Sequence, residues 1–124
     1  MDISETAIAK ARQRHPETEY LVGAISDHAL IRRLAPDIIV MAEISWYVLA
    51  DLAAFIAFLK HDMPSVYLIH LLMTYAPGVQ QYGRDYFTNL DEIKRYFGFE
   101  YLESGLVHYH DGGARTWFLG KPRT

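Results

Sequence analysis

The segment Asp-Ile-Ile-Val-Met-Ala-Glu-Ile-Ser-Trp-Tyr-Val-Leu, residues 37–49, decides the predicted fold of this chain. Residues 38–42 form a short apolar run rich in β-branched side chains, which is typical of a strand buried on both faces. Apolar residues then recur at helical spacing, at Val48, Leu52, Phe55, Ile56 and Leu59. A strand followed by such a helix is half of a βαβ unit. Because ligands of open α/β sheets bind beyond the carboxyl ends of the strands, we expect chemistry at residues 43–47.

The sequence downstream predicts a second strand, a helix and a hairpin. Residues 65–74 are apolar on both faces, which favours an interior strand parallel to the first. Thr88 predicts a helix start, with Asp91 in a capping-box arrangement, and Gly98 predicts its end. Residues 99–108 and 114–120 are predicted strands, joined by the hairpin signal Asp-Gly-Gly at 111–113.

Upstream of the central segment, the sequence predicts a helix, a strand and a short helix. Ser4 is a plausible N-cap for a helix that ends at His15, ahead of Pro16. Residues 19–25 are a predicted strand, and Ser26 or Asp27 caps the following short helix. The order αβαβαβαββ favours one α/β domain over residues 1–124, with a mostly parallel sheet and a C-terminal antiparallel hairpin.

Composition excludes several classes of function. A net charge of −3 offers no electrostatic footprint for nucleic acid. The chain has no cysteine, which excludes disulfides, and its polar N-terminus does not resemble a signal peptide, so we expect a cytoplasmic protein. Residues 38–59 are long enough to span a bilayer, but Glu43 and Asp51 would each cost about 2.5–3.5 kcal/mol near its centre. We therefore expect no membrane segment.

Four segments together resemble the later part of a class I S-adenosylmethionine-dependent methyltransferase. Residues 1–12, Met-Asp-Ile-Ser-Glu-Thr-Ala-Ile-Ala-Lys-Ala-Arg, are similar to the end of its second strand and the helix that follows. Residues 37–49 resemble its fourth strand and the start of the helix after it, and residues 82–89, Tyr-Gly-Arg-Asp-Tyr-Phe-Thr-Asn, resemble a substrate-side loop. The terminal hairpin, ending in Thr-Trp-Phe-Leu-Gly at 116–120, is similar to its sixth and seventh strands.

The resemblance implies a cofactor, S-adenosylmethionine, and a set of site residues. Glu43 would contact the cofactor and accept a proton from the nucleophile, since burial suits a carboxylate to that task. The other implied cofactor contacts are Asp2 on the ribose, Ile3 on the adenine, and Ala24 and Ile25, of which Ala24 offers only its backbone. The implied substrate contacts are Trp46, Tyr47, Tyr82, Arg84 and Tyr86.

The sequence departs from this family in one respect. The first strand, the glycine-rich G-x-G-x-G turn and the first helix are absent, although that turn cradles the methionine end of the cofactor. The family's sheet order is three, two, one, four, five, seven, six, so the missing strand is central and leaves strand four with an unpaired edge. We therefore expect an incomplete Rossmann-like domain, running from the end of the second strand through the seventh.

The expected function is methyl transfer to a small-molecule N or O nucleophile, by a fragment that is inactive alone. Its partners would be that substrate, and either the missing N-terminal half or a second copy. The alternatives are a non-catalytic truncated remnant and a dimerising α/β binding module.

Simpler roles compete with several of these assignments. The Glu43 carboxylate can instead accept backbone N–H groups at the start of the following helix. His108, His110 and Asp111 are a potential two-histidine, one-carboxylate set, but their spacing specifies no closed geometry, so no metal site is predicted. His70, inside an apolar run, is expected to be a hydrogen-bonded core residue.

Overall fold

The computed structural model describes residues 1–123 as four helices, four strands and one short 3₁₀ helix. In chain order these are α1 (Glu5–Arg14), α2 (His28–Leu34), β1 (Ile38–Ala42), the 3₁₀ helix (Ser45–Tyr47), α3 (Leu49–Asp62), β2 (Tyr67–Thr74), α4 (Leu90–Phe97), β3 (Phe99–His108) and β4 (Ala114–Pro122). The predicted βαβ unit, the last helix and the C-terminal hairpin are all present.

The four strands form one sheet in the order β1-β2-β4-β3. β1 and β2 are neighbouring parallel strands, as the sequence predicts, and Val40 lies opposite Ile69 in their register. β4 inserts between β2 and β3 and is antiparallel to both. The prediction of a mostly parallel sheet is therefore wrong, because the hairpin supplies half of the strands and only one parallel pair is left.

One face of the sheet and helices α2, α3 and α4 enclose the core. Alternate residues of β2 point into it, so Leu68, His70 and Leu72 are fully buried. Leu68 and Leu72 pack in one cluster with Ile31 of α2, with six buried residues of α3, with Ile93 and Phe97 of α4 and with Phe118 of β4. The Thr116 hydroxyl ties β4 to β2 by donating to the Leu72 carbonyl at 2.8 Å.

The opposite face of the sheet remains partly exposed, and we call it the uncovered face. The prediction that β1 is buried on both faces is wrong, since Ile38 is 54% and Val40 59% exposed. The apolar run was correctly located, but α3 covers only the face that carries Ile39 and Met41. The register places the following residues on the uncovered face: Ile38, Val40, Tyr67, Ile69, Leu71, Met73, Arg115, Trp117 and Leu119.

The predicted strand over residues 19–25 does not form, and its place is taken by a single parallel bridge between Asp2 and Val22. The Asp2 N–H donates to the Leu21 carbonyl at 3.1 Å, and the Gly23 N–H donates to the Asp2 carbonyl at 2.9 Å. A strand needs a ladder of partners, and within residues 1–123 the only bridge partner is one residue of the segment that leads into α1.

Helix ends follow the predicted signals, with one exception. Ser4 caps α1, Asp27 caps α2, and Gly98 ends α4 in the left-handed conformation at φ 60°. The start of α4 lies one residue later than predicted, because the Asn89 side chain accepts the Glu92 N–H at 2.9 Å. Thr88 instead donates its hydroxyl to the Glu92 carboxylate.

Candidate functional site

Glu43 lies directly after β1 and extends the strand ladder by one bond, since its N–H donates to the Leu71 carbonyl at 2.9 Å. Its φ is 60°, in the left-handed region that residues other than glycine rarely adopt. Such a conformation costs about 1 kcal/mol or more and persists only where surrounding contacts hold it. The strained residue is therefore the one that the sequence places at the centre of the site.

The two carboxylate oxygens of Glu43 have different environments. Oε2 accepts the Met73 N–H at 2.8 Å, which joins the end of β1 to the end of β2. Oε1 lies 3.6 Å from Nε of Arg115 and has no hydrogen-bond partner among residues 1–123. Although 39% of the side-chain surface is exposed, the Oε1 atom itself is buried. One oxygen is thus committed to the backbone, whereas the other lies beside Arg115 without a hydrogen bond from the described residues.

Trp46 holds the segment after Glu43 against β2. Its indole N–H donates to the Met73 carbonyl at 2.8 Å. Its ring also packs on Tyr75, with centroids 5.7 Å apart, and on Phe87, at 5.3 Å. Met73 therefore has its N–H held by Glu43 and its carbonyl held by Trp46, which ties both residues to the same point of the sheet.

Beneath this segment lies a buried hydrogen bond between Ser45 and His70. The Ser45 Oγ and His70 Nε2 are 2.7 Å apart, and both residues are fully buried. The imidazole stacks on Phe118 at 5.0 Å, while its Nδ1 has no partner in the described part of the chain. Burial lowers the pKa of His70 from 6.5 to about 4, so the ring is neutral near pH 7. The prediction of a hydrogen-bonded core histidine is confirmed.

A cavity of about 230 Å³ opens beside these residues, and we call it the Glu43 cavity. Its lining consists of Glu43, Trp46, Tyr47, Met73, Thr74 and Tyr75. The sequence identified the first three of these, because they follow one strand without a break. It did not identify the residues at the end of β2, which are brought there by strand pairing. A carboxylate surrounded by aromatic rings is suited to a positively charged group.

A second cavity, of about 350 Å³, lies beyond the end of β2 and shares Thr74 and Tyr75 with the first. We call it the Gln80 cavity. Besides those two residues it is lined by Ala76, Pro77, Gly78, Gln80, Arg84, Thr88, Asn89, Leu90, Leu106, His108, Gly112, Ala114 and Thr116. Sequence reasoning named Arg84 as a substrate contact and overlooked Gln80, whose loop has no periodic pattern that would mark a buried side chain.

Neither cavity is lined by the residues implied to hold the adenosine. The Asp2 carboxylate accepts the Ser4 N–H at 2.8 Å, and Ile3 is 75% exposed. Ile25 is a core residue at 8% exposure, and Ala24 is half-buried beside it. None of these four residues lines the Glu43 cavity.

The implied substrate contacts do not all lie at one cavity. Tyr47 lines the Glu43 cavity while 86% exposed, but Tyr82, at 62% exposure, lines neither cavity. Tyr86 packs its ring near that of Tyr96, with centroids 5.9 Å apart. Of the five implied substrate residues, the structure brings two to the Glu43 cavity and one to the Gln80 cavity.

Comparison with known proteins gives no assignment: no family model matches this chain, and no curated protein matches it. Within residues 1–123, no cluster of three or more histidine or acidic side chains is placed to hold a metal ion. In the same range, every helix is too short or too polar to cross a bilayer.

Proposed function

We propose that this chain is part of an S-adenosylmethionine-dependent methyltransferase that acts on a small-molecule N or O nucleophile, and that it needs a further element for activity. The observation that carries the proposal is the Glu43 cavity, where a strained acidic residue follows a parallel strand and one of its oxygens is buried without a hydrogen-bond partner in the described part of the chain. Sheet topology and the chemistry of the lining support it separately.

The order of the strands in the sheet supports the methyltransferase proposal. The observed order β1-β2-β4-β3 is the one that the resemblance implies for strands four, five, seven and six, including the antiparallel insertion of the last strand. The parallel bridge between Asp2 and Val22 is the kind of contact implied for strands two and three. β1 is an edge strand, and its outer edge has no strand partner within residues 1–123. The resemblance implies that the central strand of the family's sheet would pair with this edge.

The lining supports a positively charged ligand. Glu43 offers a buried oxygen, and Trp46, Tyr47 and Tyr75 offer aromatic faces, a combination that stabilises sulfonium or ammonium groups. Arg115 is the competing charge, at 3.6 Å from Oε1, but this partly exposed pair is worth only about 0–1 kcal/mol. An incoming cation can therefore replace the arginine at small cost.

The residues present fit only part of the cofactor. When bound, S-adenosylmethionine supplies an activated methyl group. Glu43 would hold the charged end and accept the proton released by an N or O nucleophile, while the packed ring of Trp46 would shield the reacting atoms from water. The 124 residues contain no glycine-rich turn, and neither cavity includes Asp2 or Ile3. Cofactor binding by this chain should accordingly be weak.

Calorimetric titration with S-adenosylhomocysteine tests this proposal. We expect saturable binding in the millimolar range, and the Glu43→Gln variant should weaken it about tenfold because a charged partner is lost. Glu103→Gln, which removes an exposed acid of β3, is the matched control and should bind like the parent chain. No detectable heat at millimolar ligand, or equal binding by both variants, would exclude the methyltransferase assignment.

We propose self-association through the uncovered face as a second candidate function. Its apolar residues are contiguous across the sheet, and exposed apolar patches of this kind mark interaction surfaces. Four strands about 4.8 Å apart, with eight residues of about 3.3 Å each along β2, span roughly 500 Å². Two such faces would bury roughly 1,000 Å², which is the lower limit for a specific interface.

Analytical ultracentrifugation of the Val40→Lys variant tests the second candidate. Val40 lies on β1, at one side of the face, and a lysine there should convert a dimer into a monomer, since an unpaired ammonium would be buried between the sheets. Val79→Lys is a suitable control, because Val79 is equally exposed, at 58%, but lies in the loop after β2. A parent chain that stays monomeric at the highest soluble concentration would refute self-association.

A further inference from the structure

The Gln80 cavity carries one positive charge and no negative charge in its lining. Arg84 and His108 line it, and none of its lining residues is an aspartate or a glutamate. Arg84 forms no ion pair with any acidic side chain of residues 1–123. A guanidinium without a partner, at the wall of a cavity that lacks acidic groups, favours an anionic ligand. Because the guanidinium is planar, it pairs best with a carboxylate or a phosphate.

The wall of the same cavity contains a buried acceptor without a donor. Gln80 is 5% exposed, and its Nε2 donates to the Tyr82 carbonyl at 2.9 Å and to the Phe87 carbonyl at 3.1 Å. These two bonds determine which end of the amide is nitrogen, because an oxygen in that place would face two carbonyls. Oε1 is thereby left without a hydrogen-bond partner in the described chain. A ligand with an N–H group would satisfy it.

The rest of the lining is largely apolar. Pro77, Leu90, Leu106 and Ala114 contribute to it, and the volume of about 350 Å³ lies in the range of small-molecule sites. The Asn89 and Thr88 side chains are already used at the start of α4. The groups left for a ligand include the Arg84 guanidinium, the His108 imidazole and the Gln80 oxygen, beside an apolar wall.

We propose that the Gln80 cavity binds a small carboxylate that also carries an N–H group and an apolar body, as an N-acylated amino acid does. Arg84 pairs with the carboxylate, Gln80 Oε1 accepts the N–H, and the apolar body contacts Leu90 and Leu106. This site adjoins the Glu43 cavity, but its proposed contacts do not involve Glu43, and the inference does not depend on methyl transfer.

N-benzoylglycine is a suitable probe, and its binding is measured by NMR titration of the isotopically labelled chain. At the efficiency typical of drug-sized ligands, its roughly 13 non-hydrogen atoms correspond to a dissociation constant of about 1 mM. The Gln80 side-chain amide resonances should shift together with the backbone amides of the loop, and both should saturate with the same constant.

Two matched ligands separate the proposed contacts. The methyl ester of N-benzoylglycine removes the charge, and N-benzoylsarcosine replaces the N–H by N–CH₃. Each should bind about tenfold more weakly, since each loses one hydrogen-bonded contact to a buried or charged partner. Only N-benzoylsarcosine should also abolish the shift of the Gln80 side-chain amide.

Two arginine variants complete the test. Arg84→Gln should weaken N-benzoylglycine binding about tenfold and leave binding of its methyl ester unchanged. Arg33→Gln removes an exposed arginine of α2 and should leave both constants unchanged. The inference is wrong if millimolar N-benzoylglycine causes no saturable shift at Gln80. It is equally wrong if acid and ester bind alike, or if the two variants behave alike.

Discussion

The buried histidine beneath the candidate site gives the chain a calculable dependence of stability on pH. His70 has a pKa of about 4 in the folded chain, because burial disfavours its charged form, against 6.5 when solvated. The unfolded chain therefore binds a proton at a higher pH than the folded chain. The stability that results is fully present above pH 6.5, is lost as the pH falls from 6.5 to about 4, and changes no further below that.

The magnitude follows from the two pKa values. At pH 5 the unfolded imidazole is almost fully protonated, whereas the folded one is almost entirely neutral. Acidification from pH 7 to pH 5 should therefore reduce the free energy of unfolding by about 2 kcal/mol through His70 alone, and by about 3 kcal/mol at pH 4. Carboxylates add their own dependence, so the contribution of His70 has to be isolated by comparison with a variant.

The contribution of His70 is isolated by urea unfolding of the parent chain and of the His70→Gln variant, each at pH 7 and pH 5. Glutamine can keep a hydrogen bond to Ser45 and does not titrate, so the variant should lose about 2 kcal/mol less than the parent between the two pH values. His110→Gln, at an exposed turn position, is the control and should lose as much as the parent. Identical losses for the parent and His70→Gln would refute a neutral, buried His70.

Three further substitutions test local features by urea unfolding. Trp46→Phe should lower the free energy of unfolding by about 1 kcal/mol, because the Met73 carbonyl loses its indole donor. An unchanged free energy of unfolding would show that this hydrogen bond does not stabilise the fold. Ala35→Gly should raise the free energy of unfolding by about 0.5 kcal/mol, since relief of the left-handed φ of 47° outweighs the entropy cost of glycine. A lower free energy of unfolding would show that Ala35 is not strained. Gly105→Ala should lower the free energy of unfolding by about 1 kcal/mol, because the new Cβ would lie 2.9 Å from Nε1 of Trp117. A higher free energy of unfolding would show that the Trp117 ring moves aside freely.

Signals within a few residues of one another predicted most of the elements correctly. Caps such as Ser4 and Asp27 mark helix starts because their side chains bond the backbone three residues on. The Asp111 turn works in the same way, since its carboxylate accepts the Gly113 N–H at 2.8 Å. Asn89 replaced Thr88 as the cap of α4 because both residue types serve that role and only the backbone geometry separates them.

Properties that depend on distant partners were not predictable in this way. Whether β1 is buried on one face or two depends on what lies above the sheet, and an apolar run does not encode that. Residues 19–25 have strand-like composition, yet in the described part of the chain they form a β-bridge with one residue only, Asp2. In the site, Glu43 and Trp46 were found because they follow a strand directly, whereas Gln80 became notable only once its unpaired oxygen was visible in three dimensions.

The positions of the two tryptophans have a practical consequence. Trp46 lines the Glu43 cavity, whereas Trp117 lies on the uncovered face, opposite Gly105 in the register with β3. Because the chain has only these two, replacing either one leaves a single tryptophan, whose emission can be excited selectively over that of the nine tyrosines. The emission of Trp117 then reports on whatever covers the sheet, and that of Trp46 reports on the occupancy of the cavity. Spectroscopy can thus distinguish these two events without any added label.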